Sequence, residues 1–481
     1  MKNLSYLFFT VIFVLSACQP STVIFEDAIC IENISTIDPN DGLKENQTVI
    51  IKAGKIYQIA PSQELHLSKK NTIIDGTGKF LIPGLWDTHV HFAYIEELAP
   101  SMFDLFLSYG VTSVRDTGGE ISFVKKWKDK SLASPTNTPR VMIAGPLLDG
   151  SPNVYDGSDP GHPPLSAGLK SIDDVIKKVN ELDHLEVDFL KAYEMLTPEQ
   201  FSKITQLSRE KGLKVTGHVP LSMDVISASN AGLNSMEHLR NLELSCASNS
   251  EELLKQRQKL LASGKDKLGA GAVLRSQIHE AQRRIATENF DEKKAKEVLA
   301  VLAKNQTWQI PTLGLNTGYI KKHFIRPEWQ ESFKYLPSSI EEQWKIKIEK
   351  FKNINISEFK HKQTKWMLEM VGEIHNAGIG IMAGTDTPIF FLTPGRSLHH
   401  ELALLVEAGL SPLDAIKTAT TNPAKYFDLE DELGSIKKNM WADLIILDAN
   451  PLENINNTMR INAVIKQGNY VKQSELLKRL E

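Results

Sequence analysis

The chain has 481 residues, of which 24% are charged and 41% hydrophobic, and its formal net charge at pH 7 is −4. This balance is typical of a globular protein and excludes fibrous and intrinsically disordered classes. The small negative charge and the scattered Lys and Arg residues give no attractive field for nucleic acid, so we expect no nucleic-acid partner.

The first residues have the pattern of an export signal. One Lys precedes an apolar run from Leu4 to Leu15, which is shorter than the ~20 residues that span a bilayer. The sequence LSAC, ending at Cys18, closely resembles a bacterial lipobox. That resemblance implies a signal peptide over residues 1–17, a lipid on Cys18 and an exported protein held on a membrane by this anchor. Ordinary signal cleavage and an uncleaved anchor are the alternatives.

The residue after Cys18 bears on the location. The position after Cys18 is occupied by Gln19. An Asp at this position would resemble a signal for retention in the inner membrane. The sequence therefore favours attachment to the outer membrane, facing the periplasm, in a host that has two membranes.

Beyond Cys18, only Cys30 and Cys246 remain, so the chain is not a disulfide scaffold. We interpret them as two unpaired buried thiols. A single disulfide between them is the alternative.

Two short β-rich segments flank the long middle of the chain. They share a high content of Val and Ile, and a turn at Ala53-Gly54-Lys55 indicates a hairpin. Their strand-like stretches are residues 22–35, 47–60, 434–448 and 461–471. We predict a small β-sandwich domain built from residues 18–79 and 429–481.

Strand and helix patterns alternate through the middle. The predicted strands are continuously apolar, as expected where other elements cover both faces of a sheet. They lie at residues 80–87, 111–118, 140–148, 187–193, 213–219, 234–239, 307–315 and 378–388. One following helix has Thr197 as its N-cap and Pro198 in its first turn. The pattern predicts an α/β fold, and eight such strands fit a (β/α)8 TIM-like barrel over residues 80–428 better than an open sheet.

Two polar helical segments, residues 250–304 and 328–377, interrupt this alternation. We interpret them as solvated outer helices that help to cover the mouth of the barrel. A lid, or a contact in a homo-oligomer, is the alternative.

Chemically reactive residues stand at the carboxyl ends of the predicted strands, where barrel enzymes place their functional groups. The set comprises His89, His91, Lys191, His218, His238 and Asp386. Because side chains two apart share a strand face, His89 and His91 can bind one ion. Imidazole and carboxylate ligands suit zinc, and also iron, manganese or cobalt. Each residue alone has an ordinary structural interpretation, but their joint occurrence favours a metal site.

Five motifs in order, GLWDTHVHF, DFLKAY, VTGHV, SMEHL and MAGTDTP, resemble the amidohydrolase superfamily. The closer resemblance is to imidazolonepropionase-like enzymes and the Xaa-Pro and Xaa-Arg dipeptidases grouped with them. It covers nearly the whole chain after the signal.

The resemblance implies a site for two divalent ions, with zinc preferred. His89, His91 and Asp386 would hold one ion and His218 and His238 the other, with a carbamylated Lys191 bridging both. Two such ions lower the pKa of a bridging water, so that a metal-bound hydroxide exists near neutral pH. Asp386 would then act as general base and afterwards as general acid.

Four further residues are candidates for binding the small-molecule substrate. Tyr193 shares a strand face with Lys191, and Tyr155 and His162 lie in a long loop expected at the barrel mouth. Arg240 can bind a carboxylate bidentately or pair with an acidic helix residue.

These observations predict hydrolysis of an amide bond in a small molecule, with a dipeptide or a cyclic amide as first choice. The alternatives are lactone or ester hydrolysis, deamination, and a non-catalytic metal-binding surface lipoprotein. The export signal argues against imidazolonepropionase itself, because that reaction belongs to cytoplasmic histidine breakdown.

Overall fold

The structure is a computed structural model that describes residues 28–68 and 70–481. The predicted signal peptide and the predicted lipidation site Cys18 lie outside the described residues. Across the described ranges, no helix combines the length and the apolar character needed to cross a membrane.

The strands belong to one mostly antiparallel sheet and two parallel sheets. They are β1 (Ile29–Asp38), β2 (Gly42–Lys52), β3 (Lys55–Pro61), β4 (Thr72–Asp75), β5 (Phe80–Pro83), β6 (Leu85–Val90), β7 (Val111–Asp116), β8 (Arg140–Ile143), β9 (Leu147–Asp149), β10 (Ser166–Gly168), β11 (Phe189–Ala192), β12 (Lys214–Gly217), β13 (Ser235–Glu237), β14 (Trp308–Ile310), β15 (Leu444–Leu447), β16 (Ile461–Lys466) and β17 (Asn469–Lys472).

Helices cover and connect these sheets. They are α1 (Ala99–Ser108), α2 (Ile121–Ala133), α3 (Ile172–His184), α4 (Pro198–Glu210), α5 (Val225–Ala231), α6 (Leu242–Ser245), α7 (Ser250–Ala262), α8 (Ala270–Glu288), α9 (Glu292–Lys304), α10 (Leu313–Asn316), α11 (Gly318–Lys321), α12 (Pro327–Gln330), α13 (Ser338–Lys352), α14 (Glu358–Asn376), α15 (Arg396–Glu407), α16 (Pro412–Thr418), α17 (Thr421–Tyr426) and α18 (Gln473–Lys478). Helix α4 begins as predicted, because the Thr197 side chain caps it and Pro198 is its first residue.

Both ends of the chain build one sheet. Its strand order is β17-β16-β15-β5-β1-β2-β3, and β4 pairs with β1. The predicted hairpin joins β2 to β3, where Ala53 and Gly54 have φ angles of 50° and 78°. The joint contribution of the two chain ends is therefore confirmed for this sheet, whereas its two-layered sandwich form stays a prediction.

The middle of the chain forms two parallel sheets. One has the order β6-β7-β8 and the other β10-β9-β11-β12-β13-β14. Parallel strands followed by helices confirm the predicted α/β class. Their carboxyl ends converge on the candidate site described below.

Two predicted strands are each divided by a glycine. Residues 80–87 split at Gly84 into β5 of the terminal sheet and β6 of a parallel sheet. A Cβ on Gly84 would lie 2.3 Å from the Thr112 Oγ1 atom, so only glycine permits this close passage. Residues 140–148 split into β8 and β9 around Gly145, whose φ is +75°.

The last two predicted strands are shorter than expected. The seventh is reduced to β14, because Thr312 has a φ of 45° and leads directly into α10. The segment 378–388 forms only isolated bridges, Gln309 with Ile381 and Val90 with Thr387. It still lies between β14 and β6, since Met382 N donates to Gln309 O at 2.9 Å and Thr88 N donates to Ala383 O at 3.0 Å.

Cys30 and Cys246 are buried and unpaired. The prediction of two free thiols is therefore confirmed. Burial raises the pKa of Cys30 to about 11 and that of Cys246 to about 12, so neither thiol is activated at neutral pH.

Candidate metal centre

Six side chains from five separate parts of the chain line one cavity of about 360 Å³. They are His89, His91, Lys191, His218, His238 and Asp386, the residues that the strand-end pattern selected. All are buried, with between 1% and 6% of their surface exposed. Groups of this polarity are rarely buried together without a shared function.

Three of the candidate metal ligands, His89, His91 and Asp386, lie close together. His89 Nε2 lies 3.2 Å and His91 Nε2 3.0 Å from the same atom, Asp386 Oδ1. The ligand atoms of these residues all lie within 4.8 Å of one another. Asp386 Oδ1 has no hydrogen bond of acceptable geometry, so the two imidazoles approach it without donating to it.

The other two histidines adjoin this group. The His238 ring centroid lies 4.7 Å from that of His89 and 4.8 Å from that of His218. His238 Nε2 lies 3.7 Å from Asp386 Oδ2, the second oxygen of the carboxylate. Asp386 therefore stands between the two histidine pairs.

Every histidine in the set has an oxygen partner for its Nδ1 atom. The partners are Glu237 for His89, Gly118 O at 3.3 Å for His91, Glu194 Oε1 at 2.6 Å for His218, and Thr312 Oγ1 at 2.6 Å for His238. When Nδ1–H donates to such a partner, the ring turns its Nε2 lone pair towards the cavity. This arrangement suits metal binding by all four rings.

Lys191 is the unusual member of the set. Its Nζ atom has no hydrogen-bond partner, and it lies 3.5 Å from Glu237 Oε1 without hydrogen-bond geometry. Burial lowers the pKa of Lys191 to about 8, against the opposing charge of Glu237. A buried, unsatisfied amine is costly, so this position favours a group that gains a partner at Nζ.

The chain reverses direction sharply where these residues leave their strands. His238, Leu239 and Asp386 have positive φ angles of 60°, 53° and 67°. Such backbone is strained for residues other than glycine, and it is concentrated at functional sites. His238, directly after β13, and Asp386, in the segment 378–388, both line the cavity.

Glu237 lies beneath the six candidate ligands, and the sequence analysis did not identify it as a site residue. It contacts His89 and Thr216, and its Oε1 accepts from Arg115 Nη2 at 2.7 Å. Burial alone would raise the pKa of Glu237, but the charges of Lys191, His89 and Arg115 hold that pKa well below its usual range. The carboxylate is thus an anion that balances the cations around it.

Three of the four predicted substrate-binding residues line the cavity: Tyr155, Tyr193 and Arg240. His162 is not among the lining residues. Its Nδ1 lies 3.1 Å from the Asp159 carboxylate, and its ring lies 5.5 Å from that of Tyr155. The structure therefore places His162 behind Tyr155 and not at the cavity wall.

The polar segment of residues 250–304 contributes a part of the cavity wall that the sequence did not indicate. Arg275, Ser276 and His279 of α8 line the same cavity. Helix α8 thus covers the site, as expected for residues 250–304, and it also adds cationic and polar groups to it.

A model of the amidohydrolase family matches residues 317–471, a range that includes Asp386. Over these residues the chain is similar to the amidohydrolase family. Among curated relatives, dihydroorotase of Clostridioides difficile is 45% identical over 64 residues, which are 13% of this chain and 15% of that protein. Ochratoxinase of Aspergillus niger is 41% identical over 81 residues, which are 16% of each protein. The match thus spans about a sixth of the length of these two relatives.

The fold of this chain is similar to that of solved structures. A Xaa-Pro dipeptidase crystallised with methionine in its active site has a TM-score of 0.66 and 19% sequence identity, over 93% of this chain and 100% of that one. A likeness at this identity shows a shared fold.

The side chains that line the cavity fit a divalent metal ion. Four imidazoles present Nε2 atoms, Asp386 presents an oxygen with no hydrogen bond, and the Lys191 amine lacks a hydrogen-bond partner. Nitrogen and oxygen donors of this kind are those that zinc prefers.

Proposed function

We propose that this protein is a member of the amidohydrolase superfamily and a metal-dependent hydrolase that cleaves an amide bond in a small molecule, a dipeptide as in prolidases or a cyclic amide. The observation that carries the proposal is the Lys191 amine, buried without a hydrogen-bond partner among four histidines and Asp386. A structural zinc site has four ligands and no need of an unpaired lysine or an open cavity.

The proposal includes a closed (β/α)8 barrel as scaffold. The segment 378–388 supports closure, because it hydrogen-bonds to β14 through Gln309 and to β6 through Thr88. Candidate ligands from different strands then face one another across the same end of the barrel.

Two divalent ions, with zinc preferred, would be held by the six residues. His89, His91 and Asp386 would hold one, His218 and His238 the other, and Lys191 would bridge them as a carbamate. Bound ions of this kind supply Lewis acidity and lower the pKa of water. A neutral Lys191 amine is the form that can react with CO2.

The chain's own groups then have distinct roles. Asp386 would accept a proton from the attacking water and return it to the nitrogen of the leaving amine. Glu194 and Glu237 hold the His218 and His89 rings in orientation. Arg240 and Arg275, which line the cavity, would face the substrate.

The proposal is tested by metal analysis combined with activity on dipeptides, cyclic amides, lactones and aminated heterocycles. We expect two ions per chain and amide hydrolysis that is lost in Asp386→Asn. Activity on lactones alone, or release of ammonia alone, would replace amide hydrolysis with ester hydrolysis or deamination. Unchanged hydrolysis in the variant would contradict the role of Asp386, and metal binding without any turnover would indicate a binding lipoprotein.

We also propose that the protein is exported and tethered by a lipid on Cys18, at the outer membrane facing the periplasm. The support is the sequence pattern alone. Mass spectrometry of the N-terminal peptide from native membranes tests it, and Cys18→Ser should release the protein into the soluble fraction.

A further inference from the structure

We infer that Arg275, carried into the cavity by helix α8 of the insertion, binds a carboxylate of the substrate and selects for molecules that bear one next to the scissile amide. This inference rests on the proposed function and deepens it. It assigns a substrate-binding residue to a segment that lacks any of the five motifs.

The position of Arg275 places its guanidinium beside the reacting centre. Its Nη1 atom lies 3.2 Å from the Tyr193 hydroxyl, and its guanidinium carbon lies 5.7 Å from the Tyr155 ring centroid. The Tyr193 ring in turn packs against the His218 ring, with the ring centroids 4.3 Å apart and the planes tilted by 37°. A group bound by Arg275 is therefore separated from the metal-ligand set by the width of one tyrosine.

Arg275 lacks an ion-pair partner of its own. Among the described residues, no carboxylate lies within ion-pair distance of its guanidinium. Glu194 acts on it electrostatically from farther away. That carboxylate is already engaged by His218 at 2.6 Å, His279 at 2.9 Å and Arg240 at 3.4 Å.

Other basic residues of α8 are paired, which makes Arg275 distinct. One turn and two turns further along the helix, His279 pairs with Glu194 and Arg283 pairs with Glu243 at 2.9 Å. A half-buried guanidinium without an anion in a confined cavity is electrostatically unsatisfied. Its planar donors fit a carboxylate, which would complete the pairing when the substrate binds.

The fold holds this part of α8 in place against the loop of residues 149–164. Gly269 N donates to Asp156 Oδ2 at 2.7 Å, and Ser151 Oγ donates to Asp266 at 2.8 Å. A Cβ on Gly271 would lie 2.1 Å from Asn153 O, so helix and loop approach as closely as backbone allows. Arg275 lies one turn beyond this contact and is positioned by it.

The test compares dipeptides with the same dipeptides carrying a C-terminal amide, in zinc-loaded wild type and Arg275→Gln. We expect the variant to lose about 10- to 100-fold in kcat/KM on the free acids, as for a hydrogen bond to a charged group, and to lose far less on the amides. Arg275→Lys should fall between the two. Arg284→Gln is the matched control, because Arg284 is exposed on the same helix and pairs with Glu288 at 2.8 Å.

An equal loss on acids and amides would overturn the inference. Metal content and thermal stability of each variant show that the site and fold are intact. If the wild type hydrolyses neither series, the proposed function fails, and calorimetric binding of L-leucine and L-leucinamide decides the inference separately. Weaker binding of L-leucine alone in Arg275→Gln supports it, whereas no wild-type preference for L-leucine overturns it.

Discussion

Glu194 Oε1 lies 2.6 Å from His218 Nδ1, while its other oxygen lies 2.9 Å from His279 Nε2. One buried carboxylate thus orients a candidate metal ligand and fixes a side chain of the insertion at the same time. Burial alone would raise the pKa of Glu194, but Arg240 and His279 hold it well below its usual range, so the group is an anion. The metal centre and α8 are therefore joined through a single side chain.

Replacing Glu194 by Gln should weaken zinc binding about 10- to 100-fold, because the His218 ring loses its charged acceptor. Competition with a chromophoric chelator measures the affinity. Glu199→Gln, at an exposed position of α4, controls for the change of charge. Equal affinities in the two variants would show that Glu194 does not orient His218 for metal.

Arg115 and Glu237 form a fully buried ion pair at 2.7 Å beneath the centre. We expect Arg115→Met to lower the free energy of unfolding by about 3–5 kcal/mol, because Glu237 is left as a buried charge with less compensation. Urea unfolding of the metal-free protein gives the value. The exposed pair of Arg284 and Glu288 provides the control, since Arg284→Met should leave the free energy of unfolding nearly unchanged.

A second substitution sharpens the interpretation of that result. Adding Glu237→Gln to Arg115→Met removes the uncompensated charge and should restore part of the lost stability. If the double variant is no more stable than Arg115→Met, the loss comes from packing of the long Arg115 side chain instead.

The convergence of the site was predictable because it follows from a local rule. Carboxyl ends of parallel strands meet at one edge, so reactive residues at those ends converge whatever the details of the loops. His89, His91, Lys191 and Asp386 met this expectation even where the eighth strand did not form. Their roles as ligands stay predictions.

The supporting residues were not predictable, for a different physical reason. Glu194 directly follows the motif DFLKAY and Glu237 lies within SMEHL, but a carboxylate at a strand end is equally typical of an exposed position. Arg275 depends on where a helical insertion packs, which is a long-range property without a local pattern. The break at Gly84 depends likewise on contact with Thr112, a residue of the neighbouring strand.

Gly271→Ala should act on substrate binding without touching the metal. The added Cβ must displace either α8 or the loop at Asn153, because the contact of 2.1 Å is impossible. We expect a several-fold higher KM for carboxylate substrates with zinc content unchanged. Gly212→Ala is the control, since Gly212 has a φ of +70° but no neighbour within 4 Å, so it costs stability away from the cavity. A matching rise in KM in both variants would contradict the positioning role.

His399 provides a prediction about acid stability away from the metal centre. Its ring is buried, with Nε2 at 2.9 Å from Tyr109 O and Nδ1 at 2.9 Å from Thr458 Oγ1. Burial lowers the pKa of His399 from 6.5 to about 4. The unfolded chain therefore binds a proton at a higher pH than the folded chain does. The stability that depends on the neutral ring is complete above pH 6.5 and is lost as the pH falls from 6.5 to 4.

The expected size of this loss is up to about 3 kcal/mol. Urea unfolding of the metal-free protein at a series of pH values measures it. His399→Gln should be less stable at neutral pH but should lose less stability than wild type on acidification, because the titrating group is gone. His361→Gln, at an exposed position of α14, should keep the full acid dependence. If His399→Gln and wild type lose the same stability over this interval, other buried groups cause the acid sensitivity and His399 is protonated in the folded protein.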